Sequence, residues 1–229
     1  MKILALLSRF LFPPRCPFCA ELLPLRASPP CDACRDALPR ASGVLYGRLP
    51  NVDGLIAPLL YEGAAREALT GLKFRRRFSA VAPLAALMAE AVSLEICRGG
   101  LWPSAGLQCM PLLVTWAPLS GAKLRERGFD QALLLANGMC RHLGWPKPVR
   151  LLKKHTQRAV QSSLTNDDER RANASGLYGM IRSGRVMGKR VLLVDDICTS
   201  GATLSECAGV LLGAGAVSVT AVVAARRKT

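Results

Sequence analysis

The feature that most constrains this chain is a short apolar run that leads directly into two carboxylates. The run from Val191 to Val194 suits the middle of a parallel strand and is too short for a helix. Asp195 and Asp196 follow it, and then come small and hydroxyl residues: Thr199, Ser200, Gly201, Ala202 and Thr203. Open α/β sheets bind ligands at the carboxyl ends of their strands, where the next helix points its free N–H groups. The pattern therefore predicts an anion-binding crevice at the end of a central strand.

The order of the polar groups indicates which anion fits. The hydroxyls, the close backbone approach allowed by Gly201 and the helix N-terminus form a nest for a terminal phosphate. Asp195 and Asp196 repel a phosphate, but they suit the neutral hydroxyls of a ribose or an Mg²⁺ that those hydroxyls share. The two halves together predict a ribose 5-phosphate site. A buried strand ending in an Asx turn would explain one Asp and the glycine, but not the second acid and three hydroxyls.

Four cysteines near the start of the chain have the spacing of a metal site. They form two Cys-x-x-Cys pairs separated by 11 residues: Cys16, Cys19, Cys31 and Cys34. Two such knuckles complete the tetrahedron of thiolates that Zn²⁺ accepts. A redox-active Cys-x-x-Cys and a pair of disulfides are the alternatives. The first needs one motif opening a helix beside a strand, and the second needs an oxidising compartment.

The first residues argue against stable membrane insertion. The apolar run that begins the chain is cut by Arg9 and followed by Pro13 and Pro14, and it is far shorter than the roughly 20 residues that span a bilayer. It has no convincing small-residue cleavage site before Cys16. We expect a short amphipathic helix and a cytoplasmic protein, with a weak signal peptide as the alternative.

Charge is distributed unevenly along the chain. The formal net charge is +15, but residues 1–63 hold seven Lys/Arg against five Asp/Glu. The excess positive charge therefore belongs to the rest of the chain and is compatible with nucleic-acid phosphates. Only 5% of residues are aromatic, so few side chains can stack on bases; the candidates are Phe74, Trp102 and Trp116.

Hydrophobic periodicity predicts alternating strands and helices after residue 50. Strands are expected at 53–61, 110–116, 191–194 and 217–223, and helices at 64–72, 79–98, 130–142 and 204–212. A loop is expected over 117–131, carrying Lys123, Arg125 and Arg127 at the same sheet edge as the Asp pair, where cations can meet a pyrophosphate. We predict a small N-terminal four-cysteine zinc module in residues 1–50 and an α/β domain in residues 51–229, with a parallel sheet and helices on both faces.

Several motifs together resemble the ComF family, the ComFC or GntX-like proteins. The Asp195-to-Thr203 run is shared with all type I phosphoribosyltransferases, and the cysteine pairs and an Arg-Gly-Phe loop narrow the match. The resemblance rests on Cys16 to Cys34, Leu72-Lys73-Phe74, Arg127-Gly128-Phe129-Asp130-Gln131, the series Thr156, Gln161, Arg170 and Asn173, and Asp195 to Thr203. The chain departs from the family where Trp116-Ala117 replaces Pro-Val and where Asp130 replaces Asn.

The resemblance implies a type I phosphoribosyltransferase fold that binds 5-phosphoribosyl 1-pyrophosphate (PRPP) with Mg²⁺. Asp195 and Asp196 would be the catalytic or ribose-binding acids, and Thr199 to Thr203, Lys73, Arg125 and Arg127 would bind the phosphates. It also implies a role with incoming single-stranded DNA and the competence machinery in natural transformation. The alternative is an active phosphoribosyltransferase. Enzymes that salvage 6-oxopurines carry an Asp where this chain has Thr199, so those bases are not expected as acceptors.

Overall fold

The computed structural model describes residues 13–24, 27, 29–41, 43–99, 112–155, 176–181 and 183–228. The expected helix in the first 12 residues lies outside these ranges, as do Trp102 and the series from Thr156 to Asn173. The α-helices are α1 (Asp32–Ala37), α2 (Gly63–Arg75), α3 (Val81–Arg98), α4 (Gly121–Arg127), α5 (Gln131–Leu143) and α6 (Ala202–Gly213). The strands are β1 (Val44–Leu49), β2 (Val52–Ile56), β3 (Leu59–Leu60), β4 (Leu112–Trp116), β5 (Leu152–Lys154), β6 (Tyr178–Met180), β7 (Arg190–Cys198) and β8 (Ser218–Arg226).

The main sheet is mostly parallel and has β7 near its centre. Its order is β1-β2-β8-β7-β4, and the short β3 also pairs with β8. In the described part of the sheet, only β1 runs antiparallel; a tight turn joins it to β2, while β2, β8, β7 and β4 pair in parallel. Strands β5 and β6 form a separate antiparallel pair. This confirms the predicted parallel α/β sheet.

Other elements cover both faces of the sheet, so side chains along β7 alternate between two cores. Leu192 and Val194 belong to the core formed with α2, α3 and α5, whereas Val191 and Leu193 belong to the core formed with α6 and β5–β6. All four side chains are at most 1% exposed. Such two-sided burial explains why this strand reads as a continuous apolar run rather than an alternating one.

The long apolar segment Phe78–Arg98 contains α3 and is the core helix of the first face. It has the length and composition of a membrane-spanning helix, but half of it is buried within the protein. Leu84, Met88 and Val92 are fully buried there. At Gly138 of α5, a Cβ would lie 2.6 Å from the Cβ of Ala85, so only glycine allows the two helices to approach this closely.

Two sequence predictions were wrong in detail. The strand expected at 53–61 is interrupted at Ala57-Pro58 and forms β2 and β3, since proline cannot donate to the strand ladder. The loop expected over 117–131 contains α4. Ser120 caps this helix by accepting a hydrogen bond from the Lys123 N–H at 3.4 Å, and Gly128 ends it with φ +78°.

Candidate functional site

The Asp pair lies within the last part of β7 rather than after the strand. The neighbouring β4 makes its last pair between Trp116 and Val194, whereas β8 continues beside Asp195 as far as Cys198. On the β4 side, the carboxylates therefore begin where the sheet ends. The two acids therefore lie at a carboxyl edge of the sheet, as predicted, but they are part of strand β7.

The two carboxylates differ in environment. Asp196 is 6% exposed, and its backbone N–H donates to Asp195 Oδ1 at 2.8 Å. Lys73 Nζ, at the end of α2, lies 3.8 Å from Asp196 Oδ2. Burial, and then the charge of Asp196, raise the pKa of Asp195 well above its ordinary value, against a smaller lowering by Lys73. A carboxyl group whose pKa is raised by burial and by a second carboxylate is suited to a ligand that brings hydrogen-bond donors or a cation.

The loop after the Asp pair leads into the N-terminus of α6. Thr199 and Ser200 are exposed, and Ser200 Oγ accepts a hydrogen bond from the Ala202 N–H at 3.4 Å. Gly201 is the residue before the helix and has φ +79°. A Cβ at Gly201 would also meet the end of the Leu49 side chain of β1, which would have to shift, so it is the left-handed backbone that requires glycine here. Free N–H groups of the first turn thus face the region beside the carboxylates.

Two functional candidates were missed from the sequence, Lys154 and Tyr178. Lys154 Nζ donates to the Tyr178 hydroxyl at 2.7 Å, and the Thr203 side chain hydrogen-bonds the same hydroxyl. Burial raises the pKa of Tyr178, and the charge of Asp195 raises it further. The pairing of β5 with β6 brings Lys154 to Tyr178, and the packing of β6 against α6 brings both to the motif. Lys154 belongs to a basic stretch, but nothing in the local pattern distinguishes it from its neighbour Lys153.

The predicted cations are divided between two places. Lys73 lies beside Asp196, whereas no contact joins Arg125 or Arg127 to the Asp pair among the described residues. Arg125 is exposed on α4. The Arg127 guanidinium lies 5.5 Å from the centre of the Phe74 ring, and its Nη1 is buried without a hydrogen-bond partner in the described part of the chain. The Lys73-Phe74 and Arg127-Gly128 motifs are therefore packed together.

Trp116 and Asp130, the two departures from the ComF pattern, contact each other. Trp116 Nε1 donates to Asp130 Oδ2 at 3.2 Å, and the Leu119 N–H donates to the same oxygen at 3.2 Å. Asp130 Oδ1 caps α5 by accepting from the N–H groups of Ala132 and Leu133. Asp130 is 9% exposed, and burial raises its pKa. It joins β4 to α5 and supports the loop between them, so it is not a free negative charge facing a pyrophosphate. Trp116, only 7% exposed, is unsuited to stacking on bases.

The Asp130→Asn variant is expected to lose stability in this chain, although asparagine is the usual family residue. Asparagine can cap α5 with its oxygen, but its NH₂ group would then face the two donors of Trp116 and Leu119. One buried and one partly buried donor without acceptors together cost about 2 to 4 kcal/mol. Urea unfolding would measure the loss. Combining Asp130→Asn with Trp116→Pro would give both residues of the family pattern and would remove the indole donor. An Asp130→Asn protein as stable as wild type would contradict this role for the carboxylate.

The four predicted metal ligands converge. The Sγ atoms of Cys16, Cys19, Cys31 and Cys34 lie within 4.8 Å of one another, and Cys19 Sγ is 3.6 Å from Cys31 Sγ. Zn–S bonds of about 2.3 Å in a tetrahedron place sulfurs about 3.8 Å apart. Burial raises the pKa of the Cys16 thiol, but the N–H groups of Cys31, Cys19 and Phe18 outweigh it and lower the pKa to about 7. The cluster can hold a metal ion such as zinc.

Comparisons with known proteins agree with the position of the motif. Residues 130–229 match the family described as Phosphoribosyl transferase domain. DNA utilization protein YhgH of Salmonella typhimurium is 29% identical over 204 residues, 89% of this chain and 80% of that protein. Competence protein ComFC of Streptococcus pneumoniae is 36% identical over 102 residues, 44% of this chain and 42% of its own length.

Two further proteins match over part of their length. Competence protein F of Haemophilus influenzae is 30% identical over 103 residues, 44% of each chain. The crystal structure of TT1426 from Thermus thermophilus matches 61% of this chain and 71% of its own, with 18% identity and a TM-score of 0.31, which is too low to support an assignment. The domain match, the curated relatives and the motifs together support the assignment of the chain as a ComF-family protein with a phosphoribosyl transferase domain.

Proposed function

We propose that the chain binds PRPP or a related ribose 5-phosphate at the carboxyl edge of β7. Asp195 and Asp196 hold the ribose hydroxyls, directly or through a shared Mg²⁺, and the loop from Thr199 to Thr203 holds the 5-phosphate. The observation that carries this proposal is the position of two acids and a glycine-containing helix N-terminus on one edge of the sheet. Carboxylates suit hydroxyls and hard cations, whereas helix N-terminal N–H groups suit phosphate.

Lys73 is the first candidate for the pyrophosphate end of the ligand. It lies beside the Asp pair, and its side chain is 28% exposed, so it can move toward a ligand. Arg127 is second, because its buried Nη1 has no hydrogen-bond partner in the described part of the chain. Arg125 is exposed and would reach a ligand only from the outer end of α4.

The proposed cellular role is the handling of single-stranded DNA in the cytoplasm, with the competence machinery as partner. The names of the relatives support this role, since they are a DNA utilization protein and two competence proteins. The net charge of +15 also supports it, because Lys and Arg neutralise phosphates.

The proposed organisation is a metal-bound module in residues 1–50 and a phosphoribosyltransferase-like domain in residues 51–229. We propose zinc as the metal, because four thiolates favour it. The module packs on the larger domain: Cys16, Phe18, Leu23 and Cys34 share a core with residues such as Leu59 and Leu69. Strand β1 pairs with β2 across the proposed boundary.

The alternative function is transfer of phosphoribose from PRPP to a base. In that reaction the ribose C1–oxygen bond breaks and pyrophosphate leaves, while the base nitrogen gives up its proton to solvent and forms a bond to C1. The intact acids and loop favour this reaction, whereas Thr199 supplies no carboxylate to an oxopurine. Pyrophosphate release with a panel of non-oxopurine bases would establish enzymatic transfer. Bound PRPP with no release would leave a binding function alone.

Thermal unfolding with PRPP and Mg²⁺ tests the binding proposal. At a ligand concentration of about 100 times Kd the folded state gains about 2.7 kcal/mol, which for a chain of this size raises the midpoint by about 5 to 10 °C. Mg²⁺ alone is the control. An unchanged midpoint at millimolar PRPP would contradict the proposal.

A further inference from the structure

Two exposed phenylalanines follow Lys73, the cation beside the Asp pair, closely along the chain. Phe74 is 68% exposed and Phe78 is 49% exposed, which is unusual for such large apolar rings. Phe74 directly follows Lys73, the cation beside Asp196. The exposed rings therefore follow a residue of the proposed ribose-phosphate pocket within a few chain positions.

The Arg127-Gly128-Phe129 segment contacts both exposed rings. The Arg127 guanidinium lies 5.5 Å from the centre of the Phe74 ring. The rings of Phe78 and Phe129 meet at 76°, with their centres 4.9 Å apart. Because Arg127 and Phe129 are two positions apart, one short segment supports both exposed rings. A supported ring loses little entropy when a flat partner stacks on it.

The arginines between the two rings are not equivalent. Arg75 and Arg77 both pair with Glu67, at 2.6 and 3.3 Å. Arg76 is exposed and makes no ion pair in the described part of the chain; its Nη2 donates to the Arg127 carbonyl oxygen at 3.2 Å. It has φ 52°, the left-handed conformation that ends α2. Arg76 therefore presents its charge to solvent at a chain position between the two exposed phenylalanines.

We propose that Phe74, Arg76 and Phe78, the aromatic-arginine surface, bind single-stranded DNA. The two phenylalanines stack on bases, and Arg76 neutralises a phosphate between them. Alternating aromatic and cationic groups fit a strand with unpaired bases, whereas the bases of a duplex are already stacked and offer only phosphates. This inference rests on the proposed function, since it gives the proposed DNA ligand a defined place beside the ribose-phosphate pocket.

Binding of an oligothymidine and of a matched duplex, each measured by fluorescence anisotropy across a salt series, tests the surface. Phe74→Ala and Phe78→Ala should each weaken binding of the single strand by about 5- to 100-fold without changing its salt dependence. They should leave duplex binding unchanged. Met187→Ala is the control, because Met187 is 71% exposed and lies just before the amino end of β7.

The charge is tested separately with Arg76→Asn, since asparagine tolerates the left-handed backbone. The slope of log K against log salt should become shallower by about 0.7, the value for one phosphate contact on a single strand. Thermal unfolding of each variant with PRPP shows whether the neighbouring pocket is intact.

The outcomes separate this inference from the proposed function. If wild type binds no single strand at low salt, the proposed DNA role fails and the surface fails with it. If wild type binds but Phe74→Ala and Phe78→Ala bind equally well, only the aromatic-arginine surface is refuted. If these variants change the oligomeric state and leave DNA binding unchanged, the surface is a protein contact and the inference is again refuted.

Discussion

The double variant Asp195→Asn, Asp196→Asn is expected to lose PRPP binding by a factor of about 10² to 10⁴ while remaining folded. Hydrogen bonds to a charged group contribute about 1.5 to 3 kcal/mol each, and the two carboxylates are proposed to hold the ribose hydroxyls or their Mg²⁺. Asparagine keeps the shape and one acceptor oxygen of aspartate but removes the charge. The loss therefore reports on charge at this edge of the sheet rather than on a cavity.

The stability of the single variant Asp195→Asn gives an independent readout. The pKa of Asp195 is raised in the folded protein above its ordinary value of 3.8, mainly by burial and then by Asp196. Ionisation of Asp195 at neutral pH thus destabilises the fold. This destabilisation shrinks as the pH falls below the raised pKa of the folded state, and it disappears near the ordinary value of 3.8, below which both states are protonated. Asp195→Asn should be at least as stable as wild type at pH 7, with an advantage that shrinks toward pH 4.

Calorimetric titration with PRPP and Mg²⁺, together with urea unfolding between about pH 4 and pH 7, measures both effects. Glu90→Gln is the matched control, since Glu90 is an exposed carboxylate on α3, away from the Asp pair. Undiminished PRPP affinity in the double variant would remove the acids from the proposed site. Loss of both affinity and stability at pH 7 would assign them a structural role instead.

Removing two cysteines should have the largest effect on the fold. Cys16→Ser with Cys19→Ser leaves two of the four converging sulfurs, too few to hold zinc. Cys16 and Phe18 are each 1% exposed within the core shared with the large domain, so loss of the metal should disturb that core. We expect destabilisation by about 4 kcal/mol, which for this chain length lowers the unfolding midpoint by about 8 to 16 °C.

Elemental analysis and thermal unfolding measure this prediction. Wild type should contain about one zinc per chain, and the double serine variant should contain almost none. Cys97→Ser is the control, because Cys97 is an exposed thiol on α3 outside the cluster. A wild-type protein that is fully folded without metal, or a serine variant with an unchanged midpoint, would contradict the zinc assignment.

The parts of the structure that could be predicted from sequence are those set by local chemistry. The apolar run of β7, the acids near its end, the glycine before α6 and the two cysteine knuckles can each be recognised within a few residues. Helix α4 was missed because its polar, basic residues have no apolar face. None of them is buried, so hydrophobic periodicity cannot reveal the helix.

The missed contacts join residues that are distant in sequence. Arg127 was expected to face a pyrophosphate, yet the fold brings it against Phe74, 53 positions earlier in the chain. Lys154 meets Tyr178 only because β5 pairs with β6. Trp116 and Asp130 looked like separate departures from the family pattern, but a hydrogen bond joins them. Such contacts depend on strand order and helix packing, which residue spacing alone does not determine.

Calorimetric titration of the wild-type protein with PRPP in the presence of Mg²⁺ tests the proposed ribose-phosphate site most directly. We predict saturable binding with about one site per chain. Ribose 5-phosphate should compete more weakly, because it keeps the groups for the acids and the loop but lacks the pyrophosphate. Without Mg²⁺, PRPP binding should weaken. Absence of binding by either ribose phosphate, in protein that is folded and holds its zinc, would contradict the assignment of Asp195 to Thr203 as a ribose 5-phosphate site.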